Sequence, residues 1–174
     1  MSQVDTNYSI INDLSILMVT SPVCSNPSTA VISAAIASFR YVPELRNCPL
    51  TIVMDGYNLF TENRTKRGKV TSELAENYEL YYHALQDMIA NSDVTKNRTV
   101  DILRLTQHRG FANAVKEGLL QCRTKYCLIC QHDRAFMYQF SNACISTLLG
   151  AFERDESIRY IHAYLLHHYN NLYV

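Results

Sequence analysis

The chain has 174 residues, 48% of them hydrophobic and 18% charged, a composition that fits one folded domain and excludes a disordered chain. Lys plus Arg number 16 and Asp plus Glu number 16, so no charge excess points to nucleic acid or an anionic membrane as partner. No apolar run approaches the ~20 residues of a membrane span. Residues 1–12 lack the basic start and apolar stretch of a signal peptide, so as written the expectation is a cytoplasmic chain. A Golgi or ER lumen location would require an anchor outside this sequence.

Residues 14–19 form an apolar run ended by Thr20, Ser21 and Pro22, the pattern of a buried strand with a polar tip. Ser28 or Thr29 can cap a helix over residues 30–41, which Pro43 closes. Residues 50–54 give a second strand ending in Asp55-Gly56. Residues 57–70 are polar and basic and read as a loop, with Arg64, Lys66, Arg67 and Lys69 on a solvated surface. Residues 72–91 predict a long helix whose Leu74, Tyr78, Tyr81, Leu85 and Met88 recur at helical spacing as a core stripe. A third strand is expected at 99–106, a helix at 110–122, a fourth strand at 126–130, a helix at 140–153 and a fifth strand at 158–166. Strands thus alternate with helices throughout, which implies an α/β layered domain on a mostly parallel sheet.

In a parallel sheet all strand carboxyl ends share one edge, where open α/β sheets bind ligands. That edge collects Thr20-Ser21-Pro22, Asp55-Gly56, His108-Arg109-Gly110 and Gln131-His132-Asp133-Arg134. Hydroxyls, two separate carboxylates, guanidinium groups and imidazoles suit a nucleotide diphosphate with a divalent metal. Asp55 can accept from a base N–H or a ribose hydroxyl, and Arg109 or Arg134 can pair with phosphate oxygens. Asp133 can hold a hard cation that bridges the phosphates. No Gly-x-x-x-x-Gly-Lys-Ser/Thr loop and no Gly-x-Gly-x-x-Gly after the first strand is present, which sets P-loop and dinucleotide-binding readings behind.

Seven residues separate Gly110 from Gly118, Ala114 and Leu119 are their apolar neighbours, and Tyr126 opens the next strand. Without a gap, Gln131-His132-Asp133 then falls where an Asp-x-Asp would stand. On these residues the chain resembles the nucleotide-sugar glycosyltransferases of the GT-A fold, in particular the family 2 group, over about residues 14–164. The resemblance implies a three-layer α/β/α sandwich with a mostly parallel central sheet. It also implies a nucleotide-diphosphate sugar as donor and Mn or Mg as cofactor. The acceptor (glycan, protein or small molecule) is not specified.

The implied donor-binding residues are Thr20, Ser21, Pro22, Asp55, Arg109, Gln131, His132 and Arg134, and the implied metal ligands are Asp133 and His132. Gln131 replaces the first carboxylate of the pair, and His132 can substitute because imidazole suits Mn and softer divalent ions. Lys116 stands where the family usually has Asn, and Thr124 where it often has Gly. The family's downstream catalytic base has no match before Val174, since Glu153, Asp155 and Glu156 come too early; the catalytic residues are therefore unassigned. The family's acceptor side takes another ~50 to 100 residues, so residues 1–174 read as one GT-A-like domain with that portion incomplete or missing. The competing expectation is a GT-A-like domain that binds a nucleotide or a partner without transfer.

The six cysteines have no secretory context that would make them disulfides. Cys127 and Cys130 are three apart on a strand and point to opposite faces, which argues for buried structural cysteines over a zinc pair. A cysteine nucleophile served by His108 or His132 lacks a third orienting group. His167-His168 falls short of the spacing of the family's downstream metal-binding histidine and is not assigned.

Overall fold

The computed structural model describes residues 13–22, 26–59, 69–140 and 144–161. Its central element is a four-stranded sheet built from β1 (Leu14–Thr20), β2 (Leu50–Met54), β5 (Val100–Arg104) and β6 (Tyr126–Gln131) in the order β5-β2-β1-β6, with every pair parallel. The helices are α1 (Ala30–Ala37), α2 (Ser72–Asn91), α3 (Phe111–Leu119) and α4 (Cys144–Arg154). A two-stranded ladder pairs β3 (Asn58–Leu59) with β4 (Lys69–Val70).

The sheet is parallel because each strand returns through a crossover that contains a helix. Side-chain alternation then assigns the layers. Ile16, Met18, Ile52 and Met54 face a core shared with Ile32 and Ile36 of α1, Tyr78, Tyr81 and Leu85 of α2, and Ile145 of α4. Leu17, Val19 and Val53 face the other way, onto Ala114 of α3. Helices therefore cover both faces, as expected for an α/β layered domain. Leu14, Ile16, Leu17, Met18 and Val19 are all at most 6% exposed, and a fully buried side chain of this size contributes roughly 1.5–3 kcal/mol. That accounts for the apolar run of β1, interrupted only by Ser15 before the strand ends at Thr20; the strand is covered on both faces and flanked by strands on both sides.

Gly118 sets how closely α3 lies on the sheet. A Cβ there would stand 2.4 Å from Leu17 Cδ1 and 2.7 Å from Val53 Cγ2. At the N-terminus of α3, Gly110 adopts φ 74°, a conformation that glycine takes without strain.

The segment after β6 is sewn to the α1 side. Phe136 N–H donates to Ser38 Oγ (2.9 Å), and Phe140 N–H donates to Tyr41 O (2.8 Å). Glu44 then caps α4, accepting from Ile145 N–H at 2.8 Å and Ser146 N–H at 3.2 Å. Phe140, the expected start of this helix, is not helical; α4 is described from Cys144, and residues 141–143 lie outside the described residues. The helix expected over 30–41 is α-helical to Ala37 and then tightens into a 3₁₀ turn over Ser38–Tyr41. Its N-terminus uses Ser28, whose Oγ accepts from Ala30 N–H (3.2 Å), while the Thr29 side chain makes no capping bond. The expected loop 57–70 contains the short β3/β4 ladder. Residues 158–161 are not strand, and the rest of the expected fifth strand, His167 and His168 lie outside the described residues, as do Arg64, Lys66 and Arg67.

Candidate functional site

Register places the tips of β2, β1 and β6 in one row. Val19 lies between Val53 and Gln131, and Asp55 N–H donates to Thr20 O (2.9 Å). The carboxyl ends of β1 and β6 form the point where the strand order reverses: the chain steps outward from β1 to β2 to β5, then returns to the opposite side of β1. Crossovers diverge to opposite faces at such a point and leave a crevice at the strand ends. Here it is flanked by Thr20-Ser21-Pro22 on one side and Gln131-His132-Asp133-Arg134 on the other.

His132 is held across this crevice. Its Nδ1 lies 3.2 Å from the carbonyl oxygen of Val19. A carbonyl only accepts, so Nδ1 carries the proton, and in the neutral ring Nε2 is the nitrogen with a free lone pair. Among the described residues nothing bonds to Nε2. This is the arrangement in which metal-ligating histidines are commonly held, one ring nitrogen donating to a backbone carbonyl and the other facing the ion. Asp133 follows on the surface, and Arg134 N–H donates to Gln131 O (3.1 Å) to close the turn. Gln131 and Arg134 are both exposed.

Thr20 is placed differently from its neighbours. It is 1% exposed, and its hydroxyl lies 2.6 Å from the Tyr81 hydroxyl in the core. Burial pushes the Tyr81 phenol up, and the Thr20 hydrogen bond offsets part of that rise. Pro22 is buried as well, so Ser21, partly exposed, is the member of this tip whose side chain faces solvent.

Asp55 is 4% exposed, and its carboxylate is occupied. Oδ1 accepts from Gly56 N–H at 3.0 Å and Arg109 N–H at 2.8 Å. Oδ2 accepts from Gly110 N–H at 3.0 Å and lies 2.8 Å from His108 Nδ1. Asp55 therefore fixes the whole His108-Arg109-Gly110 turn at the edge, and Arg109 is held by its backbone while its side chain stays exposed. Gly56 permits the contact between the two loops. A Cβ there would meet Gln107 N and Leu105 O, each at 2.5 Å.

Beside Asp55 a cleft of about 550 Å³ opens over the ends of β2 and β5. Tyr57, Tyr78, Arg104, Thr106 and Gln107 contribute to its walls. The Tyr57 and Tyr78 rings pack at 4.5 Å between centroids with their planes tilted by 47°. Arg104 lies over the Tyr82 ring at 4.6 Å and pairs with Glu79, which neutralises this wall. Sequence patterning assigned Tyr78 to the core and gave no role to Tyr57, Arg104 or Gln107. Their place at a strand end, and a polar residue directly after a strand, are the signals that could have found them.

Among the described residues no group of three or more His, Cys, Asp or Glu side chains could enclose a metal ion. His132 and Asp133 are adjacent in one turn, and an ion held by these two side chains would have to take its remaining ligands from phosphate oxygens and water. Among the described residues no helix is long and apolar enough to cross a membrane. No family model, no curated protein and no solved structure matches the chain.

Proposed function

We propose that this chain is a GT-A-like domain that binds a nucleotide-diphosphate sugar together with a divalent metal, and that it serves transfer of the sugar to an acceptor hydroxyl. The observation that carries this reading is the His132–Val19 contact at the reversal of strand order, which leaves Nε2 unbonded among the described residues, in the same turn as Asp133 and at the edge where open α/β sheets bind nucleotides. Neighbouring strands lie about 4.8 Å apart, so the cleft over β2 and β5 stands about 10–14 Å from the tip of β6. That span suits a nucleoside at one end and a diphosphate at the other. His132 and Asp133 would hold the metal, which supplies neutralisation of the leaving diphosphate. Arg109 and Arg134 are exposed at the same edge and can pair with phosphate oxygens. Asp55 acts here by shaping the turn that carries Arg109.

A second reading is a domain that binds the nucleotide without transfer. Asp133 is the one carboxylate in the Gln131–Arg134 turn, and Gln131 stands where a second would strengthen the metal site. Calorimetry with nucleoside diphosphates, with and without Mn, followed by a transfer assay on a panel of nucleotide-diphosphate sugars, separates the two. Mn-dependent binding with donor turnover supports transfer. Mn-independent binding that survives Asp133→Ala and shows no turnover supports the second reading. No nucleotide binding under either condition rejects both.

A further inference from the structure

A group of small polar and thiol side chains sits at the opposite end of the sheet, at the amino end of β6. Ser15 of β1 is the register partner of Cys127 of β6. The Ser15 hydroxyl lies 3.2 Å from Cys122 Sγ, in the turn that follows α3, and 2.8 Å from Thr124 Oγ1. Thr124 also donates to Tyr126 O (2.8 Å), which fixes the turn between the two cysteines. Ser15 thus stands between the two cysteines, register partner of Cys127 and in side-chain contact with Cys122, which brings two thiols four residues apart in the chain to one small group. Cys130, by contrast, lies on the other face of the sheet with the larger core. Both Cys122 and Cys127 are partly exposed, and Ile129, next along their face of β6, is 44% exposed. A small oxidant can therefore reach the pair.

We infer that Cys122 and Cys127 form a dithiol modification site that a peroxide converts to an intramolecular disulfide. The Cys122 sulfur, having released its proton, attacks one peroxide oxygen. The S–O bond forms, the O–O bond breaks, and the departing hydroxide takes up the released proton as water. The Cys127 sulfur then attacks Cys122 Sγ, forming the S–S bond, and the hydroxyl leaves with the Cys127 proton as a second water. Each sulfur loses one electron and one molecule of peroxide is reduced to two of water. The order of attack follows from the environment: burial and the neighbouring Cys122 push the Cys127 thiol up to about 12, so Cys127 keeps its proton and serves as the resolving partner.

The test is peptide mapping of the intact chain after treatment with hydrogen peroxide, with free thiols blocked by alkylation. Arg123 and Lys125 lie between the two cysteines, so trypsin separates them, and a disulfide appears as a cross-linked pair joining residues 117–123 to residues 126–134. The expected result is this pair, lost on reduction, lost in Cys127→Ser and retained in Cys130→Ser. Cys122 found as sulfinic acid with Cys127 still alkylable overturns the inference. So does a cross-link that persists in Cys127→Ser, or one that joins Cys122 to any other cysteine. Should either variant fold poorly, fragmentation of the wild-type cross-linked pair assigns the bond within residues 126–134 to Cys127 or to Cys130, and assignment to Cys130 overturns the inference.

Discussion

Asp55 holds Gly110 by a carboxylate-to-amide hydrogen bond of 3.0 Å, and the same carboxylate takes the Arg109 amide at 2.8 Å. One buried side chain thus carries the turn that begins α3. Asp55→Ala leaves these part-buried N–H groups without their acceptor. Unfolding free energy from urea titration is expected to fall by about 2–4 kcal/mol. Asp55→Asn retains one acceptor oxygen and is expected to lose less. Equal stability of wild type and Asp55→Ala would remove this role.

The four strands of the main sheet were legible because each is a short run, apolar or alternating, closed by polar residues, whereas the two-residue β3 and β4 are too short to carry a pattern and fall in an expected loop. The role of Asp55 was not legible. Its partners are backbone groups at 109 and 110, and an amide donor carries no mark in the residue letters. Glu44 is the same case, since it caps a helix that begins 100 residues later. Thr20 reads as a polar strand tip in the sequence, yet its hydroxyl is drawn inward by Tyr81, a member of the α2 core stripe. His132 stands out in the sequence by its position at a strand tip, whereas its anchoring on Val19 depends on β6 lying beside β1, a pairing the sequence order does not state.

The Thr20–Tyr81 pair should behave as a coupled unit. Tyr81→Phe leaves the buried Thr20 hydroxyl without its partner and is expected to cost about 1–3 kcal/mol. Adding Thr20→Val removes the second polar group at nearly constant shape and should recover part of that loss. A double-mutant cycle in urea measures the coupling, and additive losses would show that the two hydroxyls do not depend on each other.

Gly118→Ala should destabilise the packing of α3 on the sheet. The new Cβ would press on Leu17 and Val53, both fully buried, so neither can move aside cheaply. Overpacking of this kind costs about 1–3 kcal/mol, although alanine has the higher helix propensity. Thermal unfolding reads the sign, and a rise in melting temperature would mean that propensity wins over the clash.

Stability should fall in mildly alkaline solution. Burial pushes Cys48 from the ordinary thiol value of 9.0 up to about 11 and Cys130 from 9.0 to about 12. Above pH 9 the unfolded chain releases these protons while the native chain retains them. The native state then binds more protons, and linkage makes unfolding easier as pH rises from about 9 toward 11–12. Below pH 9 both states hold the thiol proton and these groups add no slope. Urea midpoints across this window should decline, and Cys48→Ala should reduce the slope whatever it does to the absolute stability. A flat profile in the wild type would contradict the shifts.

A divalent metal at the proposed site would be read through His132. With Nδ1 committed to Val19, the imidazole offers Nε2, a ligand that favours Mn over the all-oxygen chemistry preferred by Mg. His132→Ala should therefore weaken Mn binding, measured by calorimetry with a nucleoside diphosphate present, by about tenfold or more. Mg binding should change less, so the Mn-to-Mg preference narrows in the variant. Asp133→Ala removes the charged ligand and should weaken both ions together. Melting temperatures of the variants control for folding, since His132 is only partly buried and Asp133 is exposed. Equal losses for Mn and Mg in His132→Ala would place the imidazole outside the coordination sphere and leave it the structural role of tying β6 to β1.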